Sequence, residues 1–193
     1  QKAFMLPTGL SFVSFSAKAW KKIETCNTPR FYFDIRREKA ANDKGETLFS
    51  SNVLLVRGLD WFLQDLQNKT LEKHFSEIHR RAEFIRLFTV QLGFQLFANS
   101  PSDSVTALKV PSGLDGQKIR QLLEDEYHIT IMGGQDQAKG KIIRIGHMGY
   151  IQDFEQLKLI ENLGLILHEL DPQMISHEQI QKVVVDARNW LEA

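Results

Sequence analysis

Residues 106–147 read TALKVPSGLDGQKIRQLLEDEYHITIMGGQDQAKGKIIRIGH, and their changing periodicity decides the fold class. The run TALKV at 106–110 suits a strand. Asp115 stands where an N-cap belongs, ahead of a helical pattern over 115–127. ITIMGG at 129–134 and KIIRIGH at 141–147 are two further strand-like runs, and the short link 135–140 between them makes an antiparallel hairpin. Beyond them, helical patterns occupy 152–169 and 176–191, with Asp171-Pro172 as the break and Ser176 as the second cap. The expectation is a small α+β unit, a few strands with helices on one face.

Outward from that unit, NSPSDS at 99–104 is the strongest loop signal in the chain and the candidate domain boundary, dividing it into 1–99 and 100–193. A short strand is expected at 94–97. Apolar residues at 53, 56, 59, 63 and 66, and again at 71, 75, 78, 82, 85, 88 and 92, trace two helical stripes. The second helix is long, roughly 35 Å at 1.5 Å per residue, enough to connect two domains. Its other face, which carries Glu72, Lys73, Glu77, Arg80, Arg81, Glu83 and Arg86, reads as solvated. Residues 26–51 suggest an irregular segment with one or two short helical turns, and residues 17–25 a short amphipathic helix capped by Ser16. The run GLSFVSFS at 9–16 alternates as a buried strand does, after a Pro7-Thr8-Gly9 turn signal.

Composition narrows the function. The chain has 193 residues, 42% of them hydrophobic, with 24 Lys plus Arg against 24 Asp plus Glu. No net field favours nucleic acid or an anionic membrane surface. No apolar run approaches the roughly 20 residues of a membrane span, and the first residues lack signal-peptide features. Cys26 is the one cysteine, so a reducing compartment such as the cytoplasm is expected, with Cys26 as a space-filling residue. The six histidines are scattered without zinc-site spacing, so no metal is expected. Gly133-Gly134 and Gly146-x-x-Gly149 match no phosphate-binding fingerprint.

Two places carry candidate chemistry. Arg144 interrupts a run whose neighbours Ile142, Ile143 and Ile145 call for burial. Either it pairs with an acid such as Glu124 or Glu126, or its planar guanidinium forks onto a substrate carboxylate. The other is Gln1-Lys2, for which composition alone offers nothing beyond a solvated terminus.

QKAFMLPTGLSFVSFS at 1–16 resembles the segment S-x-Q-K-(A)-x-x-x-P-P-G-L-x-F-V-S of the class V pyridoxal-phosphate aminotransferases, the alanine:glyoxylate and serine:pyruvate group. RIGHMGY at 144–150 resembles the same group's carboxylate-binding motif R-I-G-x-M-G. The intervening segments follow in matching order, so the resemblance covers nearly the whole chain. The group includes cyanobacterial members labelled as a soluble hydrogenase small subunit.

The resemblance implies a fold type I α/β transferase, of which this chain is the C-terminal half: the end of the large domain with an interdomain helix, then the small α+β domain. It implies pyridoxal 5′-phosphate as cofactor, held by Lys2 as an internal aldimine, with Lys2 also moving the proton in transamination. Gln1 would sit by the phosphate region. Ser50, standing for the family's threonine, would reach the partner subunit's phosphate across a homodimer, with Thr47 in support. Arg144 would clamp the substrate carboxylate, and Thr8 departs from the second proline of P-P-G. The implied reaction joins a small amino acid, alanine or serine, to a 2-oxo acid, glyoxylate or pyruvate. The acid for the pyridine nitrogen, the aromatic that stacks on the ring and most phosphate contacts belong to the upstream half, which would be a partner for this chain. The alternative is a noncatalytic fragment or interaction module derived from such an enzyme.

Overall fold

A computed structural model describes residues 2–193, so Gln1 lies outside the described residues. The chain divides into two compact units, Gln1–Gln64 and Asp65–Ala193.

In the second unit, β2 (Val105–Lys109) and β4 (Ile142–Gly146) form the centre of an antiparallel sheet, flanked by β1 (Gln95–Leu96) and β3 (Met132–Gly133) in the order β1-β2-β4-β3. Opposed pairs run from Val105 with Gly146 to Lys109 with Ile142. Strand alternation then sorts the side chains: Thr106, Leu108, Ile143 and Ile145 are buried, while Ala107 and Arg144 occupy the intervening positions and are less buried. The expected strand at 129–134 is a ladder only at Met132 and Gly133, opposite Arg144 and Ile143. Ahead of it, Ile129 N–H turns back to the Leu123 carbonyl at 2.9 Å, and Arg120 takes the Ile131 carbonyl at 2.8 Å. Those bonds draw the strand start toward α5 (Gly116–Tyr127).

The helical patterns yield α4 (Leu71–Gln91), α5, α6 (Asp153–Leu170) and α7 (His177–Glu192). Asp115 caps α5 through the Gln117 N–H at 2.9 Å, and the helix ends at His128 in the left-handed region. Ser176 caps α7, and its reciprocal partner is Gln179. α4 and α5 pack on the sheet, α6 packs against both, and α7 closes against α4 and α6. One continuous core results, with Phe84, Phe88, Leu108, Ile143 and Leu163 fully enclosed. α4 is integral to it.

The first unit contains α1 (Ala17–Thr25), α2 (Ile35–Asn42) and most of α3 (Val53–Lys69). Ser16 caps α1 as expected, and α2 is the short helical element of the 26–51 segment. Residues 9–16, expected as a strand, have no regular structure, since the described residues of this unit offer no strand for them to pair with. Their aromatics settle locally instead: Phe12 meets Phe4, Phe15 meets Trp20, and Phe4 also meets the buried Phe62. Gly9, at φ 143°, lies so close to Leu55 that an added Cβ would stand 2.7 Å from its Cδ1. Phe33, Leu54 and Trp61 remain largely exposed.

Leu163 sits at 0% exposure within the second unit's core. Leu163→Ala removes transfer energy and leaves a cavity, so urea unfolding should show about 3 kcal/mol lower stability. A loss below about 1 kcal/mol would mean that the α6 packing is looser than described.

Candidate active site

Arg144 owes its position to the pleat of β4. Its two neighbours Ile143 and Ile145 enter the core, so its own side chain leaves on the other face, between Ala107 and Met132 of the adjacent strands. Nε donates to the Gly133 carbonyl at 2.8 Å, which orients the guanidinium plane. Neither Glu124 nor Glu126 pairs with it, and no ion pair engages Arg144 among the described residues. The Nη edge is therefore uncommitted, the state a bidentate carboxylate ligand requires. Arg144 lines a cavity of about 480 Å³ where 129–131 part from β4, together with Ile129, Tyr150 and Phe154. Its wall also carries Gln156, 4% exposed, whose Oε1 has no hydrogen-bond partner among the described residues.

The segment that follows Arg144 is held firmly. His147 is 1% exposed; its N–H donates to the Ser104 carbonyl at 3.0 Å, and its Nε2 lies 2.8 Å from Thr106 Oγ1. Burial pushes the imidazole down to about 4, and Arg86 and Arg81 push in the same direction. Arg81 donates through Nη1 to the carbonyls of His147 at 3.3 Å and Gly149 at 3.0 Å. Arg80 forks onto Asp153 at 3.1 and 2.6 Å, and Arg86 reaches the Ser102 carbonyl and Asp103 at 2.8 and 3.1 Å. These arginines, read from the sequence as a solvated face, are half-buried structural donors. No local sequence signal marks them, because the partners of Arg80, Arg81 and Arg86 lie 16 to 73 residues away.

In the first unit Lys2 is exposed, as are Thr47 and Ser50, and none of the three side chains has a hydrogen bond or ion pair among the described residues. The Lys2 carbonyl accepts the Met5 N–H at 3.2 Å. Cys26 differs from the space-filling expectation. It is only half-buried, its Sγ lies 3.4 Å from Thr28 Oγ1 and 3.3 Å from Arg30 Nη1, and these neighbours, Thr28 foremost, hold the thiol down at about 7. No cluster of metal-ligating side chains is found among the described residues, and no helix is long and apolar enough to cross a membrane.

The chain is 36% identical over 172 residues to the soluble hydrogenase 42 kDa subunit of Anabaena cylindrica, covering 88% of this chain and 45% of that protein. It is 35% identical over 173 residues to the L-aspartate–glyoxylate aminotransferase of Paracoccus denitrificans, covering 88% and 44%. In structure it is similar to the ureidoglycine–glyoxylate aminotransferase of Bacillus subtilis, with a TM-score of 0.83 at 21% identity, over 97% of this chain and 50% of that one. No family model matches the chain. The fold is the α/β fold of pyridoxal-phosphate-dependent aminotransferases. The homologues are class V aminotransferases and cyanobacterial soluble hydrogenase subunits, and the chain spans about half the length of the curated relatives it matches.

His147 has a pKa lowered in the fold, so the unfolded chain binds more protons between pH 6.5 and about 4, and stability falls as pH falls through that window. Between pH 7 and pH 5 this group should remove about 2 kcal/mol. His79, raised by Asp103, acts with the opposite sign: its contribution is present at low pH and is lost as pH rises. Comparison of His147→Gln with the parent cancels His79. Urea titrations should show a shallower loss of stability in the variant on going from pH 7 to pH 5, and parallel pH profiles would show that His147 is not buried neutral.

Proposed function

We propose that this chain forms part of a pyridoxal 5′-phosphate-dependent aminotransferase that exchanges the amino group of a small amino acid, alanine or serine, with a 2-oxo acid, glyoxylate or pyruvate. The uncommitted guanidinium edge of Arg144 at its cavity carries this reading. The residues present suit part of the cofactor site: Lys2 offers a free, exposed amine, and Ser50 and Thr47 offer unengaged hydroxyls for phosphate. Gln1 is proposed beside the phosphate on the family resemblance alone. An acid for the pyridine nitrogen and a stacking aromatic would come from the upstream half of the subunit. Residues 1–99 would then complete the large domain and its connecting helix, and 100–193 would form the small domain. The active form would be a cytoplasmic homodimer in which Ser50 serves the partner's cofactor.

When bound, the cofactor supplies the electron sink that stabilises the charge left as the substrate Cα loses its proton. Lys2 Nζ would hold the cofactor between turnovers and, released from it when substrate binds, would take up that proton. Arg144 fixes the substrate carboxylate through two parallel N–H donors, and its Nε, held by Gly133, keeps the fork from rotating. Lysine in its place would supply charge without the fork.

Borohydride treatment of the complete enzyme should abolish the long-wavelength imine band of the bound cofactor and add cofactor mass to the peptide bearing Lys2. Lys2→Ala should lower kcat by at least ~1000-fold, in keeping with the loss of a positioned proton carrier. Near-normal turnover in that variant would overturn the assignment. Arg144→Lys should raise KM for the amino acid about 10- to 100-fold with cofactor occupancy unchanged. If occupancy falls while KM holds, Arg144 is structural.

A further inference from the structure

Arg144 does not set its own surroundings. β4 ends at Gly146, and from the segment that follows, His147, Tyr150 and Ile151 line one side of the Arg144 cavity. This segment includes Gly149 at φ 110°, a conformation open to glycine because it lacks a Cβ. Two pins act on its start: His147 N–H on Ser104 and the His147 ring on Thr106. Beyond His147, the hold on Gly149 comes from α4. The two hydrogens of Arg81 Nη1 serve the carbonyls of His147 and Gly149, on either side of Met148. No ion pair engages Arg81 among the described residues, whereas the adjacent Arg80 takes Asp153 in a fork. The Arg81 charge is thus directed at backbone carbonyls, and charge-assisted bonds of this kind are roughly twice as strong as neutral ones.

We propose that Arg81 is a positioning residue for Arg144: by clamping the carbonyls of His147 and Gly149 it fixes the segment that leaves β4 and walls the carboxylate site, and so sets substrate affinity without touching substrate. The inference rests on the reading of Arg144 as the carboxylate ligand. It distinguishes Arg81 from a residue that merely adds stability. A clamp on the cavity wall acts on KM, whereas general destabilisation lowers the amount of active enzyme and leaves KM alone.

Three measurements test it. In the 193-residue chain, Arg81→Met should speed exchange of the hydrogen-bonded His147 amide at least about tenfold, for the loss of two charge-assisted hydrogen bonds, with α5 amides unchanged. In the complete, cofactor-loaded enzyme, Arg81→Met should raise KM for the amino acid about 5- to 20-fold with kcat and cofactor absorbance unchanged, and Arg81→Lys should restore most of the affinity. Adding Arg81→Met to Arg144→Lys should raise KM little further, because both changes act through one contact. Unchanged exchange at the His147 amide overturns the clamp. Faster exchange with parental KM, alongside a raised KM in Arg144→Lys, overturns its link to affinity, and so do multiplicative effects in the double variant. A parental KM in Arg144→Lys overturns the carboxylate reading and the affinity link together, while the exchange result still decides whether Arg81 holds the segment.

Discussion

The register that sets Ala107 opposite Arg144 governs the rest of the second unit. A slip of one residue between β2 and β4 would send Arg144 into the core and Ile143 and Ile145 out of it. That alternative buries a guanidinium among Phe84, Phe88 and Leu163 with no carboxylate to meet it, a cost of several kcal/mol, so register and site position are fixed by the same energy. Ala107 contributes by being small. Its methyl leaves lateral room beside Arg144, while Met132 on the other side is long and adaptable.

α4 is the element through which the sheet and the segment after β4 are held together. Its inward residues Phe84, Ile85 and Phe88 join the core, and three arginines along its length fasten three loops: Arg80 the start of α6, Arg81 the turn after β4, and Arg86 the turn before β2. The helix therefore supplies packing and polar satisfaction together. Asp103 is gripped from two sides, by Arg86 and by His79, which places both neighbours of β2's start under the control of the same helix.

What the sequence disclosed follows the range of the interactions involved. Helices and caps depend on residues within one turn of each other, and Ser16, Asp115 and Ser176 were readable for that reason. The 9–16 segment was misread because alternation signals only that one face is apolar. A strand also needs a pairing partner, and the first unit contains none among the described residues. The polar clamps were illegible on similar grounds. Nothing near Arg81 in sequence distinguishes a guanidinium that reaches Gly149 from one in solvent, and the amphipathic pattern favours the second. Arg144 was visible as an anomaly, but whether an acid answered it depended on where α5 turned Glu124 and Glu126. Cys26 was misjudged because its polarising neighbours, Thr28 and Arg30, act only once the chain folds back over four residues.

The two units differ in how completely they satisfy themselves. The second encloses more than twenty apolar residues in a single core, whereas the described apolar residues buried in the first are Leu55 and Phe62. The first unit also leaves Phe33, Leu54 and Trp61 in water, a pattern that single scattered residues do not explain. A chain spanning about half of its relatives would be expected to leave such a surface on the side of the fold that the other half completes. The proposed chemistry divides along the same line. The amine of Lys2 and the hydroxyls of Thr47 and Ser50 lie in the unit with the thin core, and the carboxylate fork of Arg144 lies in the unit that closes on itself. On the proposed function, the cofactor-directed residues would take their setting from further chain, while the proposed carboxylate site is held within the second unit by β4, Gly133 and the hydrogen bonds from α4.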